Sequence, residues 1–204
     1  MRFLVCFFWF SIAYLGSSAQ RWAAEELSSA HTAVSVSQLT QEEKLIIQYV
    51  NLARMYPQKF ALLEVKNYMG EAKYSNYLED SPYKRSLMNH LLRMKPLPPV
   101  YFDASMYALA KCFAEESGER GYVGHNRRDC PEGYYGECCS YGHEKGRDIA
   151  LSLLIDHDVP SLGHREICLS DRYDKIGVRI AYHKKYGHCA VLDFKEARAT
   201  VQLS

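Results

Sequence analysis

The spacing of apolar residues changes along this chain, and that change limits the possible fold more than any other feature. Up to about residue 156, apolar residues recur at helical spacing in several segments. Between Ile176 and Tyr182 they alternate with other residues, and a second short apolar run follows at residues 191–194, after a turn at residues 184–187. Alternation on both sides of a short turn predicts a β-hairpin. Helices followed by antiparallel strands predict an α+β domain with helices packed on a sheet.

Local signals predict where the helices begin and end. Thr40 and Glu43 form a capping box ahead of a helix that we expect to reach Met55. Proline suits the first turn of a helix and glycine commonly follows the last, so Pro57 and Gly70 are expected to bound the next helix. The same kinds of signal predict three more helices: a short one opened by Ser81 and Pro82, one at residues 104–120 capped by Asp103 and ended by Gly121, and one at residues 147–156.

Two segments lack these patterns. Residues 20–39 are rich in Ser and Ala with weak periodicity, and we interpret them as a loosely ordered leader to a domain at residues 40–204. Residues 122–146 are rich in Gly, Tyr, Cys, His and Asn. Because a long irregular stretch in a compact domain usually carries function, we expect residues 122–146 to contribute to a site.

The first 19 residues have the pattern of an export signal. Arg2 supplies the positive start, residues 3–15 form an apolar run, and Ser17 and Ala19 are small residues of the kind found at cleavage sites. We expect cleavage before Gln20 and a secreted protein, extracellular or periplasmic. A membrane anchor is disfavoured because 13 helical residues span only about 20 Å of a hydrocarbon core that is roughly 30 Å thick.

Composition narrows the possible partners. The chain has 204 residues, with 48% apolar and 24% charged residues, which is typical of one globular domain. Arg2 is the only charge in the first 19 residues, so a chain starting at Gln20 carries 24 basic and 24 acidic side chains. A neutral chain lacks the basic surface of a nucleic-acid binder, which leaves small ligands, lipids and protein partners.

An even number of cysteines follows the predicted signal. In an exported chain six cysteines favour disulfides, with fifteen possible pairings, and adjacent cysteines are expected to bond to different partners. The alternative is a zinc cluster, which is less favoured because no C-x-x-C pair occurs. The disulfide candidates are Cys112, Cys130, Cys138, Cys139, Cys168 and Cys189, and the zinc alternative uses Cys130, Cys138, Cys139 and His143.

Histidines and carboxylates form the remaining chemical pattern. There is no G-x-S-x-G elbow, no G-x-G-x-x-G fingerprint and no phosphate-binding loop. The chain does contain Gly124-His125-Asn126, Gly136-Glu137-Cys138 and Gly163-His164-Arg165, with Asp156 at the end of a predicted helix. Two imidazoles and two carboxylates that meet in a cleft can hold a divalent cation such as zinc, bond to one another, or transfer protons.

The order of these segments resembles the CAP superfamily of cysteine-rich secretory proteins, antigen 5 and pathogenesis-related 1 proteins. Ile176-Gly177-Val178 and Val191-Leu192-Asp193-Phe194 continue the resemblance after the histidine segments. Val50-Asn51-Leu52-Ala53-Arg54 with Pro57 resembles the first helix of bacterial members. The matching segments extend from about residue 44 to 194. The resemblance implies an α-β-α sandwich with a small antiparallel sheet between helices.

The resemblance also implies a central cavity lined by two histidines and two acids. His125, Glu137 and His164 fall on three of these positions, and we place Asp156 at the fourth, with Asp158 as the alternative. Cys138 departs from the family pattern because an asparagine usually stands at that position. His157, His183 and His188 are expected on the surface, at a helix end and in the hairpin, and are assigned no role.

Two classes of function remain. The first is a secreted binding module whose cleft or neighbouring loops hold a lipid, a cell-wall fragment or a protein, with a divalent cation, zinc for instance, organising the cavity. The second is a metal-dependent hydrolase of peptide or ester bonds, in which Glu137 activates water. We favour the binding module because no serine or cysteine nucleophile stands beside a histidine in a recognisable motif.

Overall fold

A computed structural model describes residues 21–134 and 136–196. Its helices are α1 (Ala24–Ala30), α2 (Gln41–Met55), α3 (Pro57–Phe60), α4 (Pro82–Arg93), α5 (Ala104–Arg120), α6 (Gly146–Ile155) and α7 (Gly163–Cys168). Its strands are β1 (Tyr101–Phe102), β2 (Gly136–Tyr141), β3 (Tyr173–His183) and β4 (Gly187–Glu196). Across the described residues, no helix is both long and apolar enough to span a bilayer. The predicted export signal lies outside the described residues.

The predicted hairpin is confirmed and forms the centre of a four-stranded sheet with the order β1-β3-β4-β2. β3 and β4 are antiparallel, with His183 opposite Gly187 at the turn. β2 pairs with β4 in antiparallel orientation, and Glu137 lies opposite Asp193. β1 runs parallel to β3. The sheet is therefore mixed, whereas a purely antiparallel sheet was expected. The difference is due to the short β1, which belongs to the helix-rich N-terminal half and pairs with the outer edge of β3.

The two faces of the sheet bury two separate apolar clusters. One cluster joins α2, α4 and α6 to sheet residues that include Cys138, Val178 and Leu192. The other joins Ala110 and Phe113 of α5 to Cys139, Cys189 and Val191. Neighbouring residues on one strand therefore point into different cores, as the alternation of side chains along a strand requires. The result is the expected helix-sheet-helix sandwich.

The capping predictions are confirmed at two helices. The Thr40 side chain accepts a hydrogen bond from the Glu43 amide, and the Glu43 carboxylate accepts one from the Thr40 amide. Asp103 accepts bonds from the first amides of α5, and Gly121 ends that helix with a left-handed φ of 64°. The helix from Pro57 is shorter than predicted: α3 continues as a π-helical turn at Ala61–Val65 and stops before Gly70.

The segment expected to be a loosely ordered leader is built into the domain. It contains α1, and Ala30 and Ala33 are fully buried. Asn51 in α2 fixes this segment because its side-chain amide donates to the Ala30 carbonyl and to the Thr32 hydroxyl, each at 3.0 Å. The weak periodicity of the segment hid this packing because small alanines, rather than large apolar side chains, form the contact.

Of the expected framework of disulfides, the described residues contain one, between Cys112 in α5 and Cys130 in the following loop. Cys138, Cys139, Cys168 and Cys189 are buried free thiols. That Cys138 and Cys139 bond to different partners stays a prediction, and the two side chains project from opposite faces of β2. The alternative zinc cluster is wrong, because Cys130 is in the disulfide and His143 is bonded to Glu71.

Two further expectations differ from the structure. Residues 122–146, expected to be irregular throughout, contain the six-residue strand β2. His183, expected on the surface, is fully buried at the end of β3. Its Nδ1 accepts hydrogen bonds from the amides of Lys185 and Tyr186, so its Nε2 donates to the Tyr122 carbonyl. His183 thus holds the hairpin turn and the start of the loop after α5 together.

Candidate functional site

The four residues proposed from the sequence form two hydrogen-bonded pairs of histidine and carboxylate. His125 Nδ1 lies 2.8 Å from a Glu137 carboxylate oxygen, and His164 Nδ1 lies 2.7 Å from an Asp156 carboxylate oxygen. The two imidazole rings are neighbours, with centroids 6.1 Å apart and planes tilted by 41°. The structure therefore brings all four residues to one place, from a loop, a strand, a helix end and a helix start.

The second acid in this arrangement is Asp156 rather than Asp158. Asp156 ends α6 in the left-handed conformation, with φ of 57°, which aspartate tolerates better than most residues. Its carboxylate accepts bonds from the backbone amides of His164 and Arg165 as well as from the His164 ring. Asp158 exposes 82% of its side chain and is 3.5 Å from His157. Asp156 thus orients His164, whereas Asp158 faces solvent.

The first acid, Glu137, is held by a buried arginine. One Glu137 oxygen contacts the His125 ring, and the other accepts from Arg127. The same Arg127 Nη2 atom lies 2.9 Å from an Asp193 oxygen. The side chains of Arg127, Glu137 and Asp193 are at most 2% exposed. Arg127 could not be identified from the sequence, because its partners lie 10 and 66 residues away and no local motif marks the contact.

Two carboxyl groups, those of Glu137 and Asp193, share the single Arg127 guanidinium. Burial raises the pKa of the Asp193 carboxyl to about 8, with Arg127 acting in the opposite direction and the Glu137 carboxylate adding to the rise. Burial lowers the pKa of Arg127, but Asp193 and Glu137 outweigh it and leave that pKa raised. Arg127 therefore stays charged and is the group that holds Glu137 in its buried position.

Arg127 and Glu116 also fix the loop that carries His125. Arg127 Nη1 donates to the carbonyls of Leu109 and Pro131, and its guanidinium stacks on the rings of Phe113 and Tyr134 at 4.7 and 4.6 Å. The Glu116 carboxylate accepts three consecutive backbone amides, those of residues 128–130. Together with the disulfide at Cys130, these contacts give an irregular segment a defined path.

A thiol lies beside the first pair. Cys139 Sγ is 3.8 Å from His125 Nδ1, and potential metal-ligating atoms of His125, Glu137 and Cys139 all lie within 4.8 Å of one another. Burial raises the pKa of the Cys139 thiol well above its ordinary value. The Glu137 oxygen in this group is already bonded to His125. This group is therefore a poorer cation site than the two imidazoles. To bind a cation, Cys139 must lose its proton and the hydrogen bond between Glu137 and His125 must break.

The two pairs differ in their access to solvent. The His125 side chain is 53% exposed and the His164 side chain 19%. His164 and Asp156 line a cleft of about 220 Å³, whose other walls include Tyr77, Cys139, His143 and His157. His157, expected on the surface, is only partly exposed, because its ring contacts the Ser81 hydroxyl at 2.9 Å and the rings of Tyr77 and Tyr83.

A larger open groove of about 680 Å³ lies elsewhere, between α4 and α7. Its walls include Ser86, His90 and Arg165, but none of the four site residues. The Arg165 guanidinium in its wall is already bonded to three backbone carbonyls and to Ser86. The smaller cleft is therefore the candidate site, because the His164 and Asp156 pair lines it and the His125 ring lies next to His164.

Residues 47–194 match the sequence profile of CAP, the cysteine-rich secretory protein family. The chain belongs to the CAP family. Its structure is similar to that of an outer surface protein from Borrelia burgdorferi, with 20% identity, a TM-score of 0.40, and coverage of 50% of this chain and 80% of the other. Among curated proteins, none matches the chain at a significant level.

Proposed function

We propose that this CAP protein is an exported binding module whose cleft holds a divalent cation, with zinc as the best candidate, between His125 and His164. The observation that carries the proposal is that each Nδ1 is bonded to a buried carboxylate. Within the described residues, neither Nε2 has a hydrogen-bond partner. A carboxylate on one imidazole nitrogen and a metal on the other is a recurrent zinc arrangement, in which the carboxylate fixes the ring and makes it more basic.

The separation of the rings fits this role. When two imidazoles bind the same zinc ion at about 2.1 Å, their ring centroids lie roughly 5–6.5 Å apart. The observed separation of the two rings is 6.1 Å. Two protein ligands leave coordination positions for solvent or for an oxygen atom of a ligand. In this arrangement Glu137 and Asp156 orient the imidazoles, and Arg127 keeps Glu137 in place. When bound, the cation would supply a Lewis-acid contact for an oxygen of the ligand.

The hydrolase alternative assigned Glu137 the task of activating water. In the structure both Glu137 oxygens are occupied, by His125 and by Arg127, and its side chain is only 2% exposed. A general base must lie within hydrogen-bond reach of the proton that it removes. Since no observation favours a free base in this cleft, we propose binding rather than hydrolysis.

The size of the cleft limits what it can hold. At about 220 Å³ it is smaller than the usual 300–1,000 Å³ of a site that encloses a whole small molecule. We therefore propose that the cation contacts a polar end of a lipid, cell-wall or protein ligand, while the rest of the ligand lies over the surrounding surface. Tyr77 and His157 at the wall of the cleft offer rings for that contact.

Isothermal titration calorimetry with zinc chloride tests the cation site. The purified protein at pH 7.5 should bind one zinc ion in the micromolar range, and His125→Ala and His164→Ala should each abolish the binding. His157→Ala is the matched control, because His157 lines the same cleft but its ring is bonded to Ser81. Binding should weaken at pH 5, since imidazole must be neutral to bind a metal.

Two outcomes contradict the cation proposal. One is the absence of zinc binding by folded wild-type protein. The other is binding that survives His164→Ala but is lost in His125→Ala and in Cys139→Ser, which would place the cation on the group formed by His125, Glu137 and Cys139. Turnover of ester or peptide substrates that requires zinc and disappears in Glu137→Gln would support the hydrolase instead.

Export is part of this proposal and has its own test. It is supported by the export pattern at residues 1–19, by family membership and by the Cys112–Cys130 disulfide, a bond that persists in oxidising compartments. The intact mass of the protein recovered outside the cytoplasm should correspond to a chain that begins at Gln20. Recovery of the uncleaved chain from the cytoplasm alone would contradict export.

A further inference from the structure

Two buried thiols meet between the sheet and α7. Cys138 Sγ in β2 and Cys168 Sγ at the end of α7 lie 4.0 Å apart, and both residues are fully buried. Cys138 Sγ is also 3.7 Å from the His164 carbonyl in the first turn of the same helix. The pair therefore connects the strand that carries Glu137 to the helix that carries His164.

The other two free cysteines have different neighbours. Cys139 lies beside His125, and Cys189 contacts the Ala114 carbonyl and the Ser117 hydroxyl. Both project into the core on the α5 side of the sheet. Within the described residues, Cys138 and Cys168 are the free thiols whose sulfurs lie within contact distance of each other.

We propose that Cys138 and Cys168 form a second disulfide, which links β2 to α7 beneath the site. The two sulfurs need to approach by about 2 Å to reach the length of a disulfide, a movement within the range of side-chain rotation about the Cα–Cβ bonds. The bond would close a loop that contains α6 and Asp156. It would therefore fix the two elements that hold the histidine and carboxylate pairs relative to each other.

The chemistry requires an oxidant, which we assign to a small-molecule disulfide such as oxidised glutathione. One cysteine thiolate attacks that disulfide, forms a mixed disulfide and releases one small thiol. The second cysteine thiolate then attacks the cysteine sulfur of the mixed disulfide and releases the second small thiol. The two protons lost by the cysteines end on the two released thiols. Because both sulfurs are buried, exchange takes place during folding or local opening.

Mass spectrometry tests the bond directly. The protein is refolded in a buffer of reduced and oxidised glutathione, denatured and alkylated without reduction. Apart from Cys6, which lies in the predicted export signal, two cysteines should be alkylated, Cys139 and Cys189. In a tryptic digest, the peptide at residues 166–172 should be linked to the peptide at residues 129–145, and the latter also to the peptide at residues 112–120 through Cys130.

Cys138 and Cys139 lie in one tryptic peptide, so the digest alone does not show which of them is linked to Cys168. Two variants assign the linkage. Cys139→Ser should keep the link to residues 166–172, and Cys138→Ser should lose it. Alkylation of four cysteines in the wild type, or a link from Cys168 to any cysteine other than Cys138, would overturn the proposal.

A stability comparison gives a second, independent readout. Under oxidising conditions the wild type should melt roughly 5–10 °C above Cys168→Ala, and dithiothreitol should remove most of that difference. Cys189→Ala is the control for the loss of a buried thiol, and its difference from wild type should not depend on dithiothreitol. An equal difference for Cys168→Ala with and without dithiothreitol would contradict the bond. None of these measurements requires bound zinc, so their failure is distinct from a failure of the cation proposal.

Discussion

Substitution of Arg127 by methionine should destabilise the protein strongly. The change keeps much of the apolar stem but removes the one guanidinium that serves both Glu137 and Asp193, whose side chains are 2% and 0% exposed. Breaking a buried ion pair by removing one partner typically costs about 3–5 kcal/mol. Arg127 also donates to two loop carbonyls, so we expect a loss toward the upper end of this range.

Urea unfolding at pH 8 measures this loss. With a slope of about 2 kcal/mol per molar urea, the midpoint should fall by roughly 2 M. The double variant Arg127→Met, Asp193→Asn should recover about 1 kcal/mol or more, because it replaces one of the two buried acids left without a partner by a neutral amide. Arg172→Met is the control, since the Arg172–Glu196 pair is exposed, and its midpoint should not change. A loss below about 1 kcal/mol for Arg127→Met would refute the argument that Arg127 holds this cluster together.

Three further results are expected. In the folded protein the pKa of Asp193 is raised to about 8, well above its ordinary value. Between pH 4 and 8 the folded protein therefore keeps a proton on Asp193 that the unfolded chain has lost. As a result, this group lowers the free energy of unfolding as the pH rises from 4 to 8. Asp193→Asn should remove up to about 1.4 kcal/mol per pH unit of that slope in urea titrations, whereas the exposed Asp158→Asn should leave the slope unchanged. Asp156→Asn should weaken zinc binding about 10–100-fold in calorimetry by releasing the His164 ring, and an affinity equal to that of Asp158→Asn would argue against this orienting role. Gly177→Ala should lower the free energy of unfolding, measured by thermal denaturation, by about 1–3 kcal/mol or more, because a Cβ at this position would lie 2.0 Å from the backbone of α5. Gly163→Ala is the control and should be tolerated, because a Cβ there would lie 3.5 Å from its nearest neighbour.

The parts of the fold that depend on residues close in the sequence were predictable. The caps at Thr40 and Asp103 and the hairpin of β3 and β4 follow from patterns within a few residues, and the structure reproduces them. β2 was not predictable in this way. Its residues are buried on both faces, so they show no alternation of apolar and polar side chains. Its pairing with β4 connects positions 48 to 58 residues apart.

The site was predictable only in part, for the same reason. The family resemblance supplied His125, Glu137 and His164, but the sequence left the second acid open between Asp156 and Asp158. The tertiary contacts distinguish them, because the Asp156 carboxylate is bonded to the His164 ring and to two backbone amides, whereas Asp158 is exposed. Arg127 and Cys139 reach the site through the packing of the loop after α5 and the pairing of β2 with β4, which no short motif encodes.

We propose that one cation lies between the imidazoles of His125 and His164. Anomalous diffraction at the zinc absorption edge, from crystals of the wild-type protein grown with zinc chloride, would locate that cation. We expect a single strong peak about 2.1 Å from the Nε2 atoms of both His125 and His164. A peak at Cys139 and Glu137, or no peak near either histidine in crystals of the folded protein, would contradict it.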